Sequence, residues 1–398
     1  MQKLRSLIYI SKGNLPSKMA HTIQVAKMAQ ALSRKVENFE LVTGGDIWSC
    51  FKGIDSEFQN WYGLHDNFKL VRLPVHLKVN YPFPEDYQHP RFFKLAAFYT
   101  RIKSPSLVYT RTPQVVRLLL KMGIPVLWER HTPIDEESPY RQFFTNKNLI
   151  GFVTISPHLA DNYIKHGLRS EKVLVAHSGV DMRNFIPYQP QALARQKLSL
   201  SQNEKIIVYS GHLQEYKGIP TLIETARIMP GFKFILVGGW EHDVNKIKEY
   251  CQNQNVHNVS VVGHVPQSEL ASYLYAADVL IFPTSKYWVL SETTSPLKLF
   301  EYMVTKRPIV ASALSNVKTV LRDRENALLA EPDEPLSFKK AIVDLFDNST
   351  LMNTIAENAF QEVQNFTWEK RADRVLQFAT ERIQKIDAGV NGSTRKTL

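Results

Sequence analysis

TSKYWVLSETTSPLKLFEYMVTKRPIVAS, residues 284–312, holds a strand-to-helix junction with the composition of an anion site. The apolar run before it, Ala277-Asp278-Val279-Leu280-Ile281-Phe282-Pro283, predicts a buried parallel strand. A polar turn follows, Ser291-Glu292-Thr293-Thr294-Ser295-Pro296. Leu297 to Val304 then has helical character, and Pro308-Ile309-Val310-Ala311 restarts a strand. The first-turn amides of a helix lack internal partners, and the helix dipole favours negative charge there. Lys298 stands near the start of that helix and adds a formal positive charge. Glu301 follows three residues later on nearly the same face. Amides and a cation for phosphate, with a carboxylate for two vicinal hydroxyls, meet the needs of a sugar nucleotide. A capped joint without a ligand uses the same residue types, because Ser, Thr and Pro favour helix starts in general.

The second half repeats the strand–helix alternation. Ile206-Ile207-Val208-Tyr209-Ser210, Phe234-Ile235-Leu236-Val237-Gly238 and Val259-Ser260-Val261-Val262-Gly263 read as strands, with a helix from Pro220 to Ile228. In the first half, Leu7–Ile10, Phe39–Thr43, Leu70–Pro74, Ser106–Arg111, Val126–Glu129, Phe152–Ser156 and Val173–Ala176 read likewise. An amphipathic helix carries Ile23, Val25, Ala26, Met28, Ala29 and Leu32, and Ser156 is set to cap a helix beginning at Pro157. Such alternation predicts an α/β protein with two parallel, doubly wound Rossmann-like sheets. Residues 185–204, with two prolines, four glutamines and no strand pattern, read as the interdomain connection. The expected domains are 1–185 and 186–366. A final helix, 367–386, returns to the first domain, and the polar tail 387–398 is expected to be disordered.

Composition narrows the class. The 398 residues suffice for two cores, and the content of 44% hydrophobic and 22% charged residues is that of a globular protein. Cys50 and Cys251 are far apart, which argues for a reducing compartment and against a disulfide framework. The start, MQKLRSLIYISKG, has a four-residue apolar run, too short for a signal peptide. No stretch reaches the roughly 18 apolar residues of a membrane span. The expectation is a cytoplasmic protein, with any membrane contact peripheral and at the inner face. The net charge of +11 points to anionic partners. From Tyr87 to Trp128 there is no Asp or Glu, while Arg91, Lys94, Arg101, Lys103, Arg111, Arg117 and Lys121 alternate with aromatics. No zinc spacing, helix–turn–helix signature or RNP-like sequence accompanies them, so nucleic acid is not expected. Anionic lipid headgroups or an anionic acceptor come next, beside the plain alternative of a solvated basic helix.

Three further constellations carry chemistry. Gly211-His212-Leu213-Gln214-Glu215-Tyr216-Lys217-Gly218 follows a strand end, where glycine lets a ligand approach the backbone and Lys217 and His212 supply positive charge. The spacing is neither a P-loop nor a G-x-G-x-x-G fingerprint. His131, just past the strand ending at Glu129, is placed to orient or polarise a substrate hydroxyl. Ser178-Gly179-Val180-Asp181 reads as a turn, with Asp181 either capping it or facing an acceptor. Lys18 and His21, around the first loop and helix start, are further acceptor-side candidates.

HSGVDMRNF (177–185), SGHLQEYKGIPTLIETA (210–226), VVGHVPQSELASYLYAADVLIFPTS (261–285) and TSPLKLFEYMVTKRPIVAS (294–312) resemble the retaining, GT-B-fold glycosyltransferases of family 4. The similarity runs through the second half. It extends more thinly into the first, through AHTIQVAKMAQAL (20–32), VYTRTP (108–113) and TISPHLADNYIKHG (154–167). The resemblance implies two Rossmann-like domains facing an interdomain cleft, with a UDP- or GDP-sugar bound mostly by the second. Lys217 matches the family lysine on the diphosphate, whereas His212 stands where an arginine is usual. Glu301 matches the glutamate that holds the ribose hydroxyls. Its usual partner position falls on Thr293, with Glu292 one residue off. Gly211, Val265 and the Thr294-Ser295-Pro296-Leu297-Lys298 version of the turn complete the implied donor set. His131 matches the histidine near the donor sugar. The usual glycine pair of the first loop falls near Met19 and Ala20. The implied reaction transfers the sugar with retention to a saccharide or lipid-linked acceptor in surface polysaccharide, lipopolysaccharide or glycolipid synthesis, without a required metal or other cofactor. A catalytically silent binding or scaffold subunit on the same fold is the alternative. Oligomeric state has no signature in the sequence.

Overall fold

The computed structural model describes residues 4–12, 15–17, 19–76 and 90–394. The chain divides into two compact units, Met1–His177 with Trp368–Leu398, and Ser178–Thr367. Among the described residues the first unit holds β1 (Ser6–Ile10), β2 (Asn38–Asp46), β3 (Lys69–His76), β4 (Leu107–Thr110), β5 (Val126–Glu129), β6 (Leu149–Thr154) and β7 (Val173–Val175). They form one sheet in the order β3-β2-β1-β4-β5-β6-β7, with every pairing parallel. The second unit holds β8 (Ile206–Ser210), β9 (Lys233–Val237), β10 (Val259–Gly263), β11 (Val279–Phe282), β12 (Ile309–Ser312) and β13 (Leu328–Ala330). Their order is β10-β9-β8-β11-β12-β13, again all parallel. Both are Rossmann-like α/β units, as expected.

Helices cover both faces of each sheet, which is why the strands are near-continuous apolar runs. In the second unit Val208, Ile235, Leu280 and Ile309 pack on one side, and Ile207, Phe234, Val279 and Val310 on the other. The first unit centres on Trp128, which meets Phe143, Phe152 and Tyr163 edge-on. Each sheet reverses its order of winding once, between β1 and β4 and between β8 and β11. Loops leaving the carboxyl ends of strands at such a reversal diverge and leave a crevice, the usual ligand position in this fold.

Four expectations need correction. The unit boundary lies at His177/Ser178, not at 185/186. Residues 178–185 are held by the second unit: Val180 and Phe185 enter its core, and the Ser178 amide donates to Ser295 Oγ at 2.9 Å. Residues 185–204 are no free connection. They contain the helix Gln191–Lys197, whose buried Arg195 pairs with Asp278 at 2.7 Å and donates to the Ala276 carbonyl at 3.0 Å. The prolines there lead into that helix, with Pro190 as its N-cap. The last helix, Trp368–Thr394, belongs to the first unit and passes the expected end at Ile386, so 387–394 are helical; residues 395–398 lie outside the described residues. Its buried Trp368, Arg371, Ala372, Val375, Ala379 and Arg382 recur at helical spacing. Finally, β13 escaped the sequence reading because a three-residue strand shows no periodicity.

Candidate anion-binding site

The two segments singled out in the second half leave β8 and β11, the strands flanking the reversal in winding. The loop 211–218 follows Ser210, and the loop 283–296 leads from Phe282 into the helix Leu297–Val304. That helix is anchored to the tip of β8, because Ser210 N donates to the Tyr302 hydroxyl at 2.8 Å. Pro296 starts it and, having no polar side chain, caps none of its first-turn amides. Glycine lets the loops approach. Gly211 has φ +131°, and a Cβ there would collide with the Lys298 ammonium. Gly218, at φ +79°, leaves no room for a Cβ beside the Pro283 carbonyl.

Lys298 Nζ is buried with no hydrogen-bond partner. It lies 4.0 Å from the centroid of the Tyr209 ring and 5.5 Å from that of Phe282. Burial, then the charge of Lys217, pushes its pKa well below the ordinary lysine value, against an opposing pull from Glu301. Lys217 Nζ stands 3.6 Å over the Trp288 ring, and burial brings its pKa down to about 8. Neither ammonium forms a carboxylate ion pair among the described residues. Such groups cost free energy in the empty protein and gain it back when an anion arrives, which is the electrostatic profile of a phosphate site. His212 does not add the expected charge. Burial, then Lys298 and Lys217, lowers its pKa, and the neutral ring stacks on Trp240 at 6.0 Å.

The hydroxyls of the turn serve the loop itself. Ser295 Oγ accepts from Ser178 N, and Thr294 accepts from Asn316 Nδ2 at 3.1 Å through both its carbonyl and its hydroxyl. Thr293 Oγ1 donates to the Leu290 carbonyl at 3.4 Å. What the turn can offer a ligand is therefore backbone N–H at Leu297 and Lys298 together with the lysine. Glu301 is half-buried one turn beyond Lys298, and Glu292 is exposed. Val265 packs against the core with a half-buried side chain.

In the first unit His131 sits just past β5, as expected, but both its ring nitrogens have protein partners. Arg111 Nη2 stands 2.7 Å from Nδ1, and Glu129 Oε1 stands 2.6 Å from Nε2. A guanidinium only donates, so Nδ1 is the acceptor and Nε2 carries the hydrogen. Burial, then Arg111, brings the ring down to about 4, so it is neutral at pH 7. Glu129 also pairs with Arg371 Nη2 at 2.9 Å, both side chains being buried. Arg371 Nε donates to the His177 carbonyl at 3.1 Å. Sequence reading missed Arg111, Glu129 and Arg371 as a group, since 242 positions separate the last two.

Asp181 takes the capping role of the two expected for it. It belongs to the second unit, where it is buried, caps the turn Met182–Phe185 by accepting from Arg183 N, and pairs with Arg183 Nη2 at 2.9 Å. His21 stands half-buried in the first turn of the helix Ala20–Ser33. Lys18 lies outside the described residues.

Two parallel Rossmann-like units, the second with two lysines at its winding reversal, define a doubly wound α/β class whose ligands usually sit at that reversal. Residues 190–362, within the second unit, match the family described as Glycosyl transferases group 1. D-inositol 3-phosphate glycosyltransferase 1 of Catenulispora acidiphila is 24% identical over 224 residues, 53% of this chain and 52% of its own. The chain thus matches about half the length of such curated relatives. Sucrose-phosphate synthase from Thermosynechococcus elongatus superposes with a TM-score of 0.73 at 19% identity, covering 96% of this chain and all of that one. Anabaena HepE in complex with UDP-glucose gives 0.69 at 16% identity, covering 94% and 99%. These likenesses establish the fold as that of GT-B glycosyltransferases.

Proposed function

We propose that the protein is a retaining glycosyltransferase of family 4, transferring a sugar from a nucleoside diphosphate sugar to a saccharide or lipid-linked acceptor in surface polysaccharide, lipopolysaccharide or glycolipid synthesis. The observation that carries this reading is Lys298 Nζ, buried and unpartnered where a helix begins. Lys298, Lys217 and the amides of Leu297 and Lys298 would grip the diphosphate and neutralise the charge that develops as it leaves. Glu301 would accept the ribose hydroxyls, and backbone near Val265 would meet the base. With this much positive charge supplied by the chain, the reading needs no metal. The leaving phosphate would take the acceptor proton in a front-face transfer. For His131 to meet a donor-sugar hydroxyl, that hydroxyl must replace Arg111 at Nδ1, and the neutral ring is the form able to accept it.

Thermal-shift measurements against UDP- and GDP-sugars, followed by donor hydrolysis with and without EDTA, test the proposal. The true donor raises the unfolding temperature by mass action and slowly releases nucleoside diphosphate, equally in both conditions. Binding without release in any acceptor mixture favours the silent-subunit reading. Loss of release in EDTA overturns the metal-free mechanism.

A peripheral membrane contact from the cytoplasmic side is supported by the helix Pro90–Lys103. It buries Phe92, Phe93, Ala96, Ala97 and Thr100, yet leaves Phe98 62% and Ile102 66% exposed among exposed Arg91, Lys94 and Arg101. No described helix is long and apolar enough to cross a membrane. Co-sedimentation with vesicles containing phosphatidylglycerol, weakened several-fold by Phe98→Ser with Ile102→Ser and by salt, is the expected result. Equal binding to neutral vesicles removes this part of the reading.

A further inference from the structure

Trp288 stands in the loop 283–296, beside Lys217. Its loop exposes the residues on either side, Tyr287 at 80% and Val289 at 91%, whereas Trp288 is half-buried. Its ring stacks on Tyr216 with centroids 5.3 Å apart and planes 23° from parallel. The Lys217 ammonium stands closer to the indole, at 3.6 Å, than to its neighbour Tyr216, at 5.1 Å. Backbone ties hold this arrangement: Ser285 N donates to the Tyr216 carbonyl at 3.2 Å, and Ser291 N to the Trp288 carbonyl at 2.8 Å. Lys286 N adds a bond to Asp333 Oδ2 at 3.0 Å. The loops after β8 and β11 are therefore joined at the lysine itself.

We propose that Trp288 is a positioning residue for the diphosphate, holding the Lys217 ammonium in place over its indole face until phosphate arrives. This rests on the reading of Lys217 as a phosphate ligand. Lysine has a long flexible stem, and fixing it for a ligand costs side-chain entropy unless something has already fixed it. A carboxylate could do so, but it would hold the cation tightly and repel the incoming phosphate. An aromatic face attracts the cation without adding a net negative charge, and tryptophan does this best. Lys298, over Tyr209 and Phe282, is held by the same chemistry.

Inorganic pyrophosphate tests the proposal without assuming a base or sugar. Calorimetric titration of wild type, Trp288→Leu, Trp288→Phe, Lys217→Ala and the Lys217→Ala/Trp288→Leu pair should show about tenfold weaker binding for Trp288→Leu, mostly restored in Trp288→Phe. In the Lys217→Ala background Trp288→Leu should add nothing, because its effect passes through the lysine. Additive losses overturn the proposal and leave Trp288 a packing residue. A second measurement needs no ligand. After ¹³C reductive methylation, the resonance absent from Lys217→Arg should be shifted upfield by the indole ring and return to the common position in Trp288→Leu. An unshifted resonance overturns the lysine–indole contact. A shifted resonance in wild type that binds no pyrophosphate instead overturns the phosphate reading, and this role with it.

Discussion

Lys298→Ala is expected to lower sugar transfer by about 10²- to 10³-fold, the range for removing one preorganised group that stabilises a developing anion. The buried position of Nζ makes the effect large, since charge interacts more strongly away from water. The loss should fall on turnover more than on the donor KM, because the leaving diphosphate carries more negative charge in the transition state than in the bound donor. Stability should not fall with activity. The ammonium has no hydrogen-bond partner, so removing it relieves a desolvation penalty that the empty protein carries. Steady-state kinetics with the identified donor, beside thermal unfolding of the same variant, checks both halves. Retained turnover would displace Lys298 from the site. A collapsed fold would make it a structural lysine.

Arg371→Ala is expected to destabilise the first unit by about 3–5 kcal/mol, the usual consequence of leaving one member of a buried ion pair alone. Arg371 and Glu129 are both almost fully shielded from solvent, and the pair is 2.9 Å apart. Replacing both, as Arg371→Met with Glu129→Leu, should cost much less, because no uncompensated charge remains. Hydrogen exchange of the β4 and β5 amides reports the effect locally. The cluster also sets an acid limit. His131 has a folded value of about 4 against an ordinary 6.5, so the unfolded chain binds the extra proton between those values. Stability therefore falls as pH drops from about 6.5 to 4, by up to roughly 3 kcal/mol. Glu129, held at about 2 against an ordinary 4.5 mainly by Arg371 and His131 opposing its burial, contributes above 4.5. That contribution is lost as pH falls toward 2. In Arg371→Ala the Glu129 stage should move to higher pH; an unchanged acid profile would show that Arg371 does not govern the carboxylate.

The two segments that flank the winding reversal of the second unit were legible because their signals are local. The strand before Pro283, the proline-started helix and Lys298 lie within twenty residues, and each feature has a propensity or a charge visible in the chain. Lys217 was legible for the same reason, one loop after a strand. The first-unit cluster was not, since Glu129, His131 and Arg111 meet Arg371 only because the final helix returns to the first sheet. Residues 185–204 misled because Pro187 and Pro190 interrupt the pattern and the helix Gln191–Lys197 is too short to show a clear periodicity. Burial of Arg195 against Asp278 makes that segment part of the second unit.

Alternating apolar runs and helical stripes were enough for two parallel α/β sheets, because strand burial on both faces writes itself into consecutive residues. The charge state of the candidate groups was decided only by packing. The same sequence that offered His212 as a cation folds so that burial, and then two lysines, lower its pKa and disfavour the charged ring. It also seats both lysines on aromatic rings contributed by other strands and loops. Residue type says which groups are able to titrate; the surroundings that set whether they do come from elements distant in the chain, and those are brought together only by folding.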